Sequence, residues 1–258
     1  MSKLVFITGA SSGLGQALAW RFYQSGYSLA LVARRTNEIE SWVCARNISA
    51  SSYKIYSADV AVIDSIVAAG LACMASQGVP DVVIACAGIS FGIETAERVD
   101  LDVMTRTFAT NNIGTAATFH PFLNAMVQRG SGTLVGIGSV NGIRGFAGHG
   151  ANCPSKEALI SYCECLRGEL HLTGVKVVTI CPGYIDTPLT QKNNYAMPFL
   201  MSPPDFAEKA FAAIEDGTSY RVIPWQMGVV AKLLRLLPNA LFDKLFAGRP
   251  RKPRNTGT

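Results

Sequence analysis

The 258-residue chain is poor in the residues from which metal centres, disulfide frameworks and nucleic-acid surfaces are made. Its three histidines, His120, His149 and His171, stand apart from one another and from any cysteine pair, so no metal-ligand spacing exists. The seven cysteines contain no Cys-x-x-Cys, their number is odd, and several sit in apolar runs such as Val82-Val83-Ile84-Ala85-Cys86. They read as reduced, mostly buried thiols of a cytoplasmic protein. Charged residues make up only 16% of the chain. The 23 Lys and Arg against 18 Asp and Glu give +5, and four of those positives (Arg249, Arg251, Lys252, Arg254) fall in the last ten residues. The body is therefore close to neutral, which excludes a general nucleic-acid surface. No apolar run is long enough to cross a bilayer, and the N-terminus enters a strand pattern without a secretory apolar region. No repeat or low-complexity linker divides the chain.

What is present is an alternation of short apolar runs with longer helical stretches, the rhythm of a parallel sheet with crossover helices. Strands are expected at Lys3–Thr8, Ser28–Ala33, Tyr53–Ser57, Asp81–Ala85, Gly132–Gly138, Val175–Cys181 and Tyr220–Ile223. Several are apolar throughout, as strands covered on both faces must be. Helices are expected at about 13–25, 36–48, 60–77, 98–128, 154–172 and 204–216. The predicted fold class is α/β: one doubly wound Rossmann-type domain with a seven-stranded, mainly parallel sheet flanked by helices. Residues 1–226 form its dinucleotide-binding body, and 227–258 a helical extension with a basic tail. The turn-rich segment 186–203 carries Tyr195, Met197, Phe199, Leu200 and Met201, too apolar for an idle loop, and is expected to face a ligand. In the extension, Val229, Val230, Leu233, Leu234, Leu236 and Leu237 make an apolar stripe that Leu241, Leu245 and Phe246 continue beyond Pro238. It reads as packing over the pocket or against another subunit with a solvated tail, or else as an interfacial helix on anionic lipid.

The first strand runs into Thr8-Gly9-Ala10-Ser11-Ser12-Gly13-Leu14-Gly15, followed directly by a helix pattern. A pyrophosphate on a helix N-terminus needs this order of parts: a tight turn, close backbone approach and free N–H groups. The second strand ends at Ala33-Arg34-Arg35, with Arg34 nineteen residues beyond Gly15. An acidic residue there would hold the 2′-hydroxyl of NAD; an arginine suits the 2′-phosphate, which favours NADP(H) over NAD(H).

The spacing Thr-Gly-x-x-x-Gly-x-Gly resembles the short-chain dehydrogenase/reductase superfamily, and further motifs follow in its order. Asp59-Val60 is similar to the family's adenine contact. Cys86-Ala87-Gly88 stands at its Asn-Ala-Gly turn, with cysteine replacing asparagine. Asn111 matches the helix asparagine of the catalytic set, Ser139 the substrate-binding serine and Lys156 the catalytic lysine. Pro182, Gly183, Tyr184, Ile185 and Thr187 resemble the segment that contacts nicotinamide and pyrophosphate, with Tyr184 lining the substrate space. The resemblance implies hydride transfer between a nicotinamide and a carbonyl or alcohol. In it a tyrosine acts as general acid, the lysine tunes that tyrosine and holds the ribose, the serine orients the carbonyl, and the asparagine holds a relay water. It also implies a homo-oligomer, dimer or tetramer, built on the helices at 98–128 and 154–172. The apolar 186–203 segment suggests a small hydrophobic carbonyl or alcohol substrate.

One position departs. The family's tyrosine belongs four residues before Lys156 and thirteen after Ser139, and both counts fall on Asn152. An amide polarises a carbonyl but cannot lose and regain a proton near neutral pH. Tyr184, His149 and Cys153 are the candidate replacements, each with a structural reading beside it. The expectation is an impaired reductase or, alternatively, a dinucleotide-binding sensor or scaffold without turnover.

Overall fold

The computed structural model describes residues 2–193, 195–248 and 251–254; Arg249 of the basic run lies outside the described residues. In chain order the elements are β1 (Leu4–Thr8), α1 (Gly13–Gln24), β2 (Ser28–Ala33), α2 (Thr36–Ala45), β3 (Tyr53–Ser57), α3 (Ile63–Gln77), β4 (Val82–Ala85), α4 (Arg98–Phe108) and α5 (Gly114–Arg129). There follow β5 (Gly132–Ile137), α6 (Asn152–Glu169), β6 (Val175–Pro182), α7 (Pro203–Glu215), β7 (Tyr220–Ile223), α8 (Trp225–Leu236) and α9 (Asn239–Phe246). The seven strands form one sheet in the order β3-β2-β1-β4-β5-β6-β7, every neighbouring pair parallel.

The period-two geometry of a strand explains why β1 is apolar at each position from Leu4 to Ile7. Val5 and Ile7 point into one core, shared with Leu18 and Phe22 of α1 and Phe206 of α7. Leu4 and Phe6 point into the other, shared with Ile66 of α3, Phe122 of α5 and Leu159 of α6. Phe6 and Phe122 meet edge to face with centroids 4.8 Å apart. The chain reverses direction across the sheet between β1 and β4, the switch point that opens a crevice at the carboxyl ends of the strands.

The expected helix over 98–128 is two helices joined by a π-helical turn, Ala109–Ile113, which carries Asn111. The extension also divides. Met227 and Ala231 of α8 pack on Val140, and Phe242 of α9 lies against Phe146, with ring centroids 5.6 Å apart. Trp225, Val229, Leu233, Leu236, Leu241 and Leu245 face outward. No helix among the described residues is long and apolar enough to cross a membrane. The tail expected to be solvated instead lies along the segment after β4. Gly92 N–H donates to the Pro253 carbonyl (2.9 Å), Arg251 pairs with Glu94 (2.6 Å), and Arg254 pairs with the buried Asp100 (2.8 Å). Glycine is required at 92, because a Cβ there would run into the Lys252 carbonyl.

Candidate active site

At the switch point the turn after β1 has the form its glycines predict. Gly9 takes φ +71°, and a Cβ on it would stand 2.8 Å from the Ala87 backbone. Gly15 packs α1 against the turn so tightly that a Cβ would strike the Gly9 carbonyl. Gly13, at φ +53°, faces Thr187. Ser12 caps α1 in an extended conformation without a side-chain hydrogen bond, so the helix turns its first N–H groups toward the crevice uncapped. Thr8 Oγ1 accepts from Cys86 N–H (3.1 Å) and Ala87 N–H (3.2 Å), which locks the turn after β4 beside the glycines.

The crevice has a volume of about 700 Å³. It collects Gly9, Ser11, Ser12, Gly13, Leu14, Gly15, Arg34, Arg35, Asp59, Val60, Ala87 and Gly88 from β1 to β4, and Ser139, Asn152, Lys156, Pro182, Gly183, Tyr184, Ile185 and Thr187 from β5 onward. Of the residues singled out in the sequence, His149, Cys153, Met197, Phe199, Leu200, Met201 and Asn111 are not among its lining residues. That asparagine is fully buried just behind Gly88: its Oδ1 accepts from Ile89 N–H (3.0 Å), and its Nδ2 donates to the Ile89 carbonyl (3.1 Å) and to Ser155 Oγ (2.9 Å). Its side chain is therefore committed to tying the π turn to α6 and to the segment after β4. Arg34, mostly exposed, reaches Asp59 at 3.5 Å, and Arg35 donates to Ser11 Oγ at 3.4 Å. Two guanidinium groups therefore stand at the end of β2, where a dinucleotide's ribose would lie.

Ser139 starts a short 3₁₀ turn, its Oγ accepting from Asn141 N–H (3.1 Å). That turn rests on α6, since a Cβ at Gly142 would touch the Lys156 backbone at 2.8 Å, and Val140 anchors it to α8. Asn152 is buried at the first position of α6 and lines the crevice. Its carbonyl accepts from Ser155 Oγ (2.8 Å), and its carboxamide has no hydrogen-bond partner among the described residues. Lys156 Nζ donates to the Ile137 carbonyl (2.8 Å). Burial lowers its pKa, and the nearby Cys86, Cys163 and Cys181 thiols, pushed up to about 12, 12 and 11, supply no counter-charge near neutral pH.

The candidate replacements for a tyrosine at 152 are placed less well for proton transfer. Burial raises the Tyr184 phenol above its ordinary value, and no cation acts to lower it. His149 is buried and held neutral-leaning by that burial, and the Cys153 thiol is pushed up to about 11. Of the apolar 186–203 segment, Tyr195 lines the crevice 6.4 Å from the Tyr184 ring, while Phe199 and Leu200 are exposed. Sequence reading missed Ser90, Phe91, Arg106, Asn193 and, above all, Lys252, which all line the crevice. Ser90 and Phe91 follow the Cys-Ala-Gly turn closely enough to be inferred. Nothing local marks Lys252, which arrives from the tail.

A parallel sheet with a glycine-rich turn at its switch point defines an α/β protein built to hold a dinucleotide. Residues 3–198 match the family model described as short chain dehydrogenase. An oxidoreductase of Myxococcus xanthus, described as uncharacterized, is 36% identical over 241 residues, covering 93% of this chain and 95% of that protein. Dehydrogenase/reductase SDR family member 7B of Bos taurus is 31% identical over 275 residues, covering 99% and 83%. Among solved structures, a short-chain dehydrogenase from Streptomyces avermitilis superposes with a TM-score of 0.80 at 24% identity, covering 90% of this chain and 92% of that one. One from Sphingobium yanoikuyae in complex with NADPH gives 0.78 at 22%, covering 92% and 97%; these likenesses concern the fold. The chain belongs to the short-chain dehydrogenase/reductase family, a family of nicotinamide-dependent oxidoreductases.

Proposed function

We propose that the protein is an NADP(H)-dependent carbonyl reductase, or alcohol dehydrogenase in reverse, whose turnover is slow because Asn152 stands in the general acid's place. The observation that carries this reading is the single crevice joining the glycine turn and Arg34 to Ser139, Asn152 and Lys156. A cradle that a Cβ would fill at Gly9 and Gly15, with an uncapped helix N-terminus, fits a pyrophosphate. Arg34 and Arg35 at the end of β2, with no acidic residue among Ala33-Arg34-Arg35, fit a 2′-phosphate. When bound, the nicotinamide supplies the family's hydride-transfer chemistry.

The remaining work falls to the chain. Ser139 Oγ directs its hydroxyl at a substrate carbonyl and polarises it. Lys156, enclosed and without a counter-charge among the described residues, is suited to hold a ribose hydroxyl and to favour negative charge nearby. Asn152 donates an N–H to the developing oxyanion but transfers no proton, so protonation is left to water. Tyr184, Tyr195 and Phe91 give the substrate end apolar walls, consistent with a hydrophobic carbonyl. Assembly into a homodimer or tetramer through α4–α5 and α6, in the cytoplasm, belongs to the same proposal; Val99, Leu101 and Ile113 are exposed on that side.

The test is consumption of NADPH, followed by absorbance, with a panel of aromatic ketones and aldehydes at micromolar enzyme. Slow oxidation that scales with enzyme supports a reductase. Tight NADPH binding without consumption on any substrate supports the non-catalytic sensor or scaffold, which the missing proton donor favours.

A further inference from the structure

The crevice has two chemically different ends, and the sheet order separates them. Arg34 and Asp59 stand over β2 and β3, whereas Ser90, Ser139 and Tyr184 stand over β4, β5 and β6. At this second end the extended strap 251–254 lies along the chain after β4, paired through Gly92 and Arg254. The strap carries three cations in four residues, and they are not equivalent. Arg251 and Arg254 spend their charge on Glu94 and Asp100. Lys252, between them, turns into the crevice, where its ammonium donates to the neutral Ser90 Oγ at 2.7 Å. Among the described residues that is its only hydrogen bond.

No anion meets it. The groups that face it are the Cys153 thiol of α6 and the imidazole of His149, with Asn152, Tyr184, Tyr195 and Arg106 on the same crevice. Burial pushes the thiol up to about 11 and the Tyr195 phenol to about 12, and lowers the imidazole, so none is negative near pH 7. A partly buried ammonium with two free N–H donors and no counter-charge costs free energy unless a ligand supplies the charge. Burial drives its own pKa down to about 8, which still leaves it mainly protonated at neutral pH.

We infer that Lys252 is the anion-binding residue of the substrate end, and that the carbonyl substrate carries a carboxylate that pairs with it while its carbonyl faces Ser139. This rests on the carbonyl-reductase reading and narrows its substrate class to oxo acids with an apolar body. The carboxylate accepts the two N–H groups that Ser90 leaves free, a charge-assisted contact. The strap's backbone pairing and its two flanking ion pairs hold the ammonium in place, so its position is fixed before substrate arrives.

The experiment is calorimetric titration of the full chain, with and without NADP⁺, using 4-oxo-4-phenylbutanoate and its methyl ester as probes. The carboxylate is expected to bind about tenfold tighter than the ester, the scale of one charge-assisted hydrogen bond. Lys252→Met should erase that preference and Lys252→Arg should retain part of it. Arg251→Met, which removes one flanking ion pair but keeps the ammonium and the Gly92 and Arg254 pairings, should reduce the preference by less than Lys252→Met does. Gly92→Ala displaces the strap without altering Lys252 and should match Lys252→Met. NADPH affinity should stay within about twofold in every variant. Equal binding of the two probes, failure of the carboxylate to bind, or a preference that survives Lys252→Met overturns the inference. So does an NADPH affinity that falls with Lys252→Met, since the lysine would then serve the cofactor. Failure of the wild-type chain to bind NADPH defeats the reductase reading instead, and is seen separately from the probe titration.

Discussion

Replacing Arg34 by alanine removes the guanidinium that best fits a 2′-phosphate. Its side chain is 68% exposed and its only ion pair among the described residues is with Asp59 at 3.5 Å, so little of the fold depends on it. A hydrogen bond to a charged group contributes about 1.5–3 kcal/mol, and exposure places this one at the lower end. A value near 1.4 kcal/mol is about a tenfold change in affinity. A second effect has the same sign. Without Arg34, the Asp59 carboxylate is left facing a 2′-phosphate and repels it. Arg34→Ala should therefore weaken NADPH by about 10–30-fold and leave NADH within about twofold. Titration of nicotinamide fluorescence with both cofactors, at low and high salt, reads this directly, and the NADPH effect should shrink as salt rises. Equal weakening of the two cofactors, or a wild-type chain that binds NADH as tightly as NADPH, would refute the reasoning.

Gly15→Ala puts a methyl group into the Gly9 carbonyl and should cost more than about tenfold in affinity for NADPH and NADH alike, read in the same titration. Phe6→Ala empties a fully buried ring site packed on Phe122 and should cost about 3–5 kcal/mol, read from the urea midpoint. The carboxylate probe's affinity should be level below pH 7 and fall as pH rises through about 8, because the Lys252 ammonium is lost there; the ester's should not change. A carboxylate affinity that is flat from pH 6 to 9 would separate Lys252 from the anion.

Much of this arrangement is legible in the chain because it is local. The β1 residues Leu4 to Thr8, the glycines after them and the Arg34-Arg35 pair each carry their geometry in residue type and spacing. So do Ser139, Asn152 and Lys156, once the family register is applied. The remainder depends on contacts between distant segments. The π turn at Asn111 interrupts a stretch that reads as one helix, and no residue type marks it: the asparagine's partners, Ile89 and Ser155, lie 22 and 44 residues away. The basic tail looks like solvated charge because its partners Ser90, Glu94 and Asp100 are more than 150 residues upstream. Only Gly92, which admits the Lys252 carbonyl, reveals why that docking is possible. Within 186–203, hydrophobicity identifies a ligand-facing segment, but side-chain direction decides that Tyr195 faces inward while Phe199 and Leu200 do not.

The central claim is that the crevice is a reductase site complete except for its proton donor. Asn152 is buried at the start of α6 and lines a crevice of about 700 Å³ with Ser139 and Lys156, which leaves room for a phenol. The direct measurement is the rate of NADPH-dependent ketone reduction by Asn152→Tyr beside the wild-type chain, at saturating cofactor. Positioned proton transfer contributes about 10²–10⁴-fold, so the variant should be faster by that order with unchanged NADPH affinity. Equal rates in the two proteins, or no turnover by a variant that binds NADPH normally, would contradict the account.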